Sequence, residues 1–172
     1  MPEQTLSIVI PVYNEERTVH LILDKVKNVN LVGGLKKELI IVNDSSSDDT
    51  RGAIQKYMAT NPGLNIQYFE HATNQGKGAA LHTGIRRATG DFLIIQDADL
   101  EYSPEEYNLL LPPMLSGEAQ VVYGSRFREE AMTRTIFHWH SFGNRFLTLL
   151  SNFFSGLWLT DMETCYKLFR TD

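Results

Sequence analysis

The chain has 172 residues, 42% of them apolar and including nine Phe, seven Tyr and two Trp, which suffices for one hydrophobic core and a single domain over 1–172. Sixteen basic against 21 acidic residues leave a net charge of −5, which argues against a nucleic-acid binder working through a broad positive surface. The single cysteine, Cys165, excludes an intramolecular disulfide and any two-thiolate metal site, and predicts a reducing, cytoplasmic setting.

The N-terminus enters an apolar run with no basic stretch and long hydrophobic segment ahead of it, so no secretory signal is expected. No uncharged apolar stretch reaches the roughly 18 residues that spanning a bilayer requires. Leu6–Val12 reads as a buried strand closed by Pro11, and Tyr13-Asn14-Glu15-Glu16 as a polar turn. A helix is predicted from Glu15 to about Lys27, with Val19, Ile22, Leu23 and Val26 on one face and the two glutamates in its first turn. The unit then repeats: strand Leu39–Val42, polar turn 43–49, helix Thr50–Met58. Strand Ile66–Phe69 leads to Asn74-Gln75-Gly76-Lys77-Gly78 and a helix over Ala79–Ala88, and strand Phe92–Gln96 ends at Asp97-Ala98-Asp99-Leu100-Glu101.

Ser103, Pro104 and Glu106 suit the N-cap, first-turn and capping-box places of a helix reaching Met114, which Pro112-Pro113 can break earlier. Val121–Tyr123 reads as a fifth strand, and 126–134 as a mobile polar loop. Phe142, Phe146, Leu149, Leu150, Phe153 and Leu157 then form one apolar stripe opposite Asn144, Arg145, Thr148 and Asn152. Such a helix covers a sheet face or meets a lipid surface, with Trp139 and Trp158 at its ends. There is no linker, no low-complexity segment and no repeat beyond the strand–helix alternation. That alternation predicts an α/β fold with a mostly parallel sheet and a ligand crevice at the carboxyl ends of its strands.

Asp97, Asp99 and Glu101 stand at alternate positions just past a strand, so an extended chain would turn all three to one face. Three hard oxygen ligands favour Mg²⁺ or Mn²⁺ completed by phosphate oxygens; the plainer alternative is a solvated acidic turn. The Gly76-Lys77-Gly78 loop is no P-loop, because His71 stands where its first glycine belongs and Gly78 where its Ser or Thr belongs. Leu81 likewise replaces the third glycine of a dinucleotide fingerprint. Lys77 at a helix start remains either a phosphate-facing point charge or part of a plain turn. His138 and His140, two apart in a helical segment, face different ways and make a poor metal pair. Cys165 reads as a small apolar residue.

Ser7–Glu16, Val42–Thr50, Asp97–Glu101 and Gly124-Ser125-Arg126-Phe127, in that order, resemble the motifs of family 2 glycosyltransferases. Within these they most resemble the dolichyl-phosphate mannosyltransferase-like branch with its bacterial polyprenyl-phosphate glycosyltransferases. The resemblance covers essentially the whole chain. It implies a GT-A fold, a nucleotide-diphosphate sugar donor, a polyprenyl phosphate or glycan acceptor, Mg²⁺ or Mn²⁺, and possible peripheral contact with the inner face of a membrane. Pro11, Tyr13 and Glu15 match the first nucleotide-binding motif, and Val42 and Asp44 the segment contacting base and ribose. Asp97, Asp99 and Glu101 match the metal motif, Arg126 the arginine near donor and acceptor phosphates, and Asp161 the late acidic motif. Asn43 and Ser45 replace the usual Asp and Gly, Glu101 the frequent Gln, and the chain is expected to lack the C-terminal region of relatives. The implied reaction is an inverting transfer. A phosphate acceptor would be positioned by Arg126, with Arg134 or His140 as further candidates, whereas a sugar hydroxyl would need Asp161 or Asp99 as base. A nucleotidyltransferase, whose basic Gly-rich loop would follow the first strand, and a non-catalytic nucleotide-sugar-binding module are the rival readings.

Overall fold

The computed structural model describes residues 3–125, 138–156, 158–162 and 164–171, with the backbone alone over 138–146. Six strands form one sheet: β1 (Thr5–Val12), β2 (Lys36–Asn43), β3 (Ile66–Glu70), β4 (Phe92–Ile95), β5 (Val121–Tyr123) and β6 (Lys167–Arg170). Their order is β3-β2-β1-β4-β6-β5. The β3–β2, β2–β1 and β1–β4 pairs are parallel, while β6 runs antiparallel to both β4 and β5. Five strands therefore point one way, giving the mostly parallel α/β sheet expected. The helices are α1 (Val19–Asn28), α2 (Thr50–Thr60), α3 (Lys77–Ile85), α4 (Tyr107–Leu115) and α5 (His138–Ser155).

Alternation along the central strands builds two cores. Leu6, Ile8, Ile10, Leu39, Ile41, Phe92 and Ile94 pack on one face with Val19, Ile22, Leu23 and Val26 of α1 and Tyr107, Leu111 and Met114 of α4. Val9, Ile40, Val42 and Leu93 pack on the other with Ala80 of α3. Each fully buried aliphatic side chain contributes about 1.5–3 kcal/mol. Helix α3 lies so close to the sheet that a Cβ on Gly84 would stand 2.3 Å from Val9 Cγ1. Pro11 lies inside β1, in register with Val42, rather than ending it. The β1–β4 pairing stops at Val9 and Ile95, and Pro11 faces the same side as Val9, past the end of β4, so its missing N–H costs no ladder bond.

Several expectations change. Helix α1 starts at Val19, so Glu15 and Glu16 lie in the turn before it and not in its first turn. Ser103 makes no side-chain cap, and Pro104–Glu106 form a 3₁₀ turn ahead of α4, which carries Pro112 and Pro113 without breaking. The short strand β6 was not foreseen. Helix α5 does not lay its stripe on the sheet over its described side chains. Thr148 is buried and accepts the Met162 N–H, and Asn152 exchanges two hydrogen bonds with Leu159. The returning chain thus takes the polar side, leaving Leu149, Phe153 and Phe154 68–81% exposed and Trp158 96% exposed. The predicted loop over 126–134 lies outside the described residues.

Glu38 is a buried carboxylate joining three strands and the α3–β4 connection. It accepts from the Ser7 hydroxyl, Gln67 Nε2 and both the N–H and hydroxyl of Thr89. Burial alone would raise its pKa, but these donors outweigh it and hold the group below its ordinary 4.5. A lowered pKa contributes stability that is present above the unfolded value and lost as pH falls through the folded one. Glu38→Gln, which turns an amide towards those donors, is expected to cost about 2–3 kcal/mol. Urea melts of the variant should show a flatter loss of stability than the parent below about pH 4.5; parallel pH profiles would contradict this assignment.

Candidate active site

The strand order reverses between β1 and β4, and in such sheets the carboxyl ends at the reversal leave a crevice. Two turns that close one side of it are stitched together. The Asn14 N–H donates to Ser46 Oγ and the Ser47 N–H to Asn14 Oδ1; the Glu15 N–H donates to Thr50 Oγ1 and the Asp49 N–H to Glu16 Oε2. Each turn therefore satisfies donors that the other leaves open. Asn14 and Ser45 both have φ near +58°. That is a glycine-type conformation, so a family preference for Gly at position 45 has a backbone reason.

Asp44, at the end of β2, is 3% exposed. Its carboxylate accepts the N–H groups of Gln75 and Gly76 and pairs at 2.6 Å with His71 Nδ1, while His71 Nε2 meets Thr83 Oγ1 on α3. Burial opposes ionisation, but the Gln75 N–H, His71 and the Gly76 N–H outweigh it and keep the Asp44 carboxyl below its usual range. The same bonds hold Gly76 at φ +87°, where glycine is favoured, and so launch α3 with Lys77 as its first residue.

The opposite wall follows β4. The strand stops at Ile95, residues 98–99 form a turn, and Leu100 has φ +66°. The alternation expected past the strand is therefore broken, and Asp97, Asp99 and Glu101 do not share one extended face. Glu101 is exposed, and its N–H donates to Asp99 Oδ1. The turn is strapped from beneath by Gln96: Nε2 donates to Asp97 O, and Oε1 accepts the hydroxyls of Tyr107 and Tyr166. Burial raises both phenol pKa values, so they remain donors. Cys165 lies beside this turn, its thiol pushed up first by burial and then by Asp97.

Between the walls lies a cleft of about 390 Å³. Pro11, Tyr13 and Glu15 line it from β1, Asp44 from β2, Asn74, Gly76, Lys77 and Ala80 from the α3 start, and Asp97 and Asp99 from β4. Lys77 Nζ reaches Asp97 Oδ1 at 2.6 Å. Burial tends to lower the Lys77 pKa, but Asp97 reverses this and raises it. Val42 is fully buried beneath the cleft, and neither Glu101 nor Asp161 is among its lining residues. Asp161 is itself buried, where the chain returns from α5. Arg126 and Arg134 lie outside the described residues, as does the His140 side chain. His71 and Tyr166, which help hold the lining residues in place, carried no local sequence signal, since the partners they meet stand 12–70 residues away, and Gln96 reads from the sequence only as the end of a strand.

No group of three or more His, Cys, Asp or Glu side chains among the described residues is placed to hold a metal ion. Two pocket-lining carboxylates, Asp97 and Asp99, nonetheless fit a hard cation such as Mg²⁺ or Mn²⁺ that draws its remaining ligands from water and a diphosphate.

The glycosyl transferase family 2 model matches residues 7–172, and the chain belongs to that family. It is 30% identical over 177 residues to a dolichyl-phosphate beta-glucosyltransferase of Trichomonas vaginalis, covering 97% of this chain and 53% of that protein. A mannosyltransferase from Pyrobaculum calidifontis, solved with GDP-Man and Mn²⁺, superposes with a TM-score of 0.54 at 27% identity, over 60% of this chain and 30% of that one. Glucosyl-3-phosphoglycerate synthase from Mycobacterium tuberculosis superposes with a TM-score of 0.67 at 24% identity, over 98% of this chain and 57% of that one. The fold is thus of the GT-A type. The chain spans about half the length of its Trichomonas relative.

Proposed function

We propose that this domain transfers a sugar, with inversion, from a nucleotide-diphosphate sugar to a polyprenyl phosphate. The observation that carries the reading is the cleft at the β1/β4 reversal, with stitched turns on one wall, Asp97 and Asp99 on the other, and Lys77 between them. Pro11, Tyr13, Glu15 and Asp44 form the nucleoside side, Asp44 chiefly by holding the α3 start and Val42 by packing beneath. Tyr13, about half exposed, offers a ring face at the cleft edge. Lys77 meets the diphosphate as a point charge.

Asp97 and Asp99 would hold Mg²⁺ or Mn²⁺, as Mn²⁺ accompanies GDP-Man in the Pyrobaculum mannosyltransferase. When bound, the cation neutralises charge developing on the departing nucleoside diphosphate. Glu101 orients Asp99 through its backbone N–H and is assigned no direct ligand role. A polyprenyl phosphate, the acceptor class suggested by the dolichyl-phosphate relative, is already anionic at neutral pH and needs positioning rather than a strong base. Arg126 is assigned that role. Asp161 and Asp99 are the candidate bases should the acceptor be a sugar hydroxyl.

The exposed face of α5 supplies a route to a lipid acceptor. No charged residue occurs over 147–155, and Leu149, Phe153 and Phe154 of α5, with Trp158 just beyond it, are exposed apolar side chains suited to the bilayer interface. No helix among the described residues is long and apolar enough to cross a membrane.

Two measurements test this reading. With radiolabelled nucleotide sugars, Mn²⁺ and a short polyprenyl phosphate, the parent should form lipid-linked sugar and Asp99→Ala should lose at least about 100-fold of the rate. Undiminished transfer by the variant would sink the metal role, and nucleotide binding with no product on any acceptor would sink catalysis. In flotation with phosphatidylglycerol-containing vesicles, a Phe153→Ser, Phe154→Ser, Trp158→Ser variant should bind about tenfold or more weakly than the parent. Equal flotation would remove α5 from the membrane contact.

A further inference from the structure

We infer that Lys77 is a resident counter-cation, which holds Asp97 before the donor arrives and moves to the donor's diphosphate when a divalent cation takes its place, so coupling metal and nucleotide binding. This rests on the functional reading above and adds a residue-level device to it.

The Asp97 side chain is 14% exposed and needs a partner, because a largely buried carboxylate without one is costly. Lys77 supplies it at 2.6 Å, reaching across the cleft from the start of α3. Its root is anchored, since Asp44 holds the Gln75 and Gly76 N–H groups just before it. Its tip is not locked: the Lys77 side chain is 59% exposed. A pair open to water to that degree is worth only a few-fold in equilibrium terms, so it can be exchanged.

A divalent ion at Asp97 would stand within a few ångströms of the ammonium, and like charges at that distance repel even in a cleft open to water. Lys77 must therefore leave Asp97 as the metal arrives. The acceptors that suit it next are the diphosphate oxygens lying between the nucleoside wall and Asp97. Around the cleft Lys77 is the one Lys or Arg among the described lining residues, against Glu15, Asp44, Asp97 and Asp99. Metal alone must displace it without compensation, while metal with diphosphate gives it a new partner. The two ligands then bind cooperatively through this side chain.

The test is a titration of the intact protein, reading free Mn²⁺ by electron paramagnetic resonance and nucleotide by calorimetry. Lys77→Met should bind Mn²⁺ alone about three- to tenfold more tightly than the parent, since its competitor is gone. The same variant should bind UDP or GDP at saturating Mn²⁺ about tenfold more weakly, with Lys77→Arg restoring most of the coupling. Matched thermal melts keep a folding defect from imitating the second effect, and tighter Mn²⁺ binding is not something a misfolded variant would give. If the parent binds both ligands and Lys77→Met matches it for either, the exchange is refuted while the functional reading stands. If the parent binds neither Mn²⁺ nor nucleotide, both fall together.

Discussion

The cleft depends on one buried carboxylate. Asp44 ends β2 and takes the backbone N–H groups of Gln75 and Gly76, so the left-handed turn at Gly76 and the first residue of α3 are set by a residue 32 positions earlier. His71 closes the arrangement by bridging Asp44 to Thr83 one and a half turns into the helix. A buried carboxylate holding two backbone donors and a histidine is a tied assembly, since removing any member strands the others away from water. Lys77 is aimed across the crevice because its backbone is held there.

The carboxylate wall is built by a different device. Gln96, wholly buried, receives two tyrosine hydroxyls from α4 and the segment before β6, and passes a hydrogen bond to the carbonyl of Asp97. The rings of Tyr102 and Tyr166 lie 4.8 Å apart and pack around it. The acidic turn therefore stands on an aromatic base at its root while Asp99 and Glu101 stay open to solvent. A rigid root with an open tip suits ligands completed only when substrate phosphate enters.

Most of the fold was legible because apolar periodicity marks buried strands and helices wherever they fall. The Val121–Tyr123 strand matched residue for residue, and β1 to β4 were found to within a few residues. Strand β6 was not legible: Lys-Leu-Phe-Arg carries no long apolar run, and it becomes a strand only because β4 and β5 flank it. In α5 the stripe was legible but not what it faces, since periodicity gives a face and not its neighbour. At the site, Pro11, Tyr13, Glu15, Asp44, Lys77, Asp97 and Asp99 were all named from the sequence and all line one cleft. Val42 and Glu101 do not, the first because strand alternation sends it into the core, the second because Leu100 turns the chain. His71 escaped notice because its partners Asp44 and Thr83 are distant in sequence, and Gln96 because the tyrosine hydroxyls that fix it come from α4 and from the segment before β6.

The account stands on the claim that nucleotide and metal meet in the β1/β4 cleft. A crystal structure with Mn²⁺ and either UDP or GDP tests it most directly. The prediction is a nucleoside against Pro11 to Glu15, a metal on Asp97 and Asp99, and a diphosphate between them within reach of Lys77. A nucleotide seated instead in the other large groove, between α1 and α2 beside Arg17, His20 and Lys56, or a metal away from both aspartates, would contradict it.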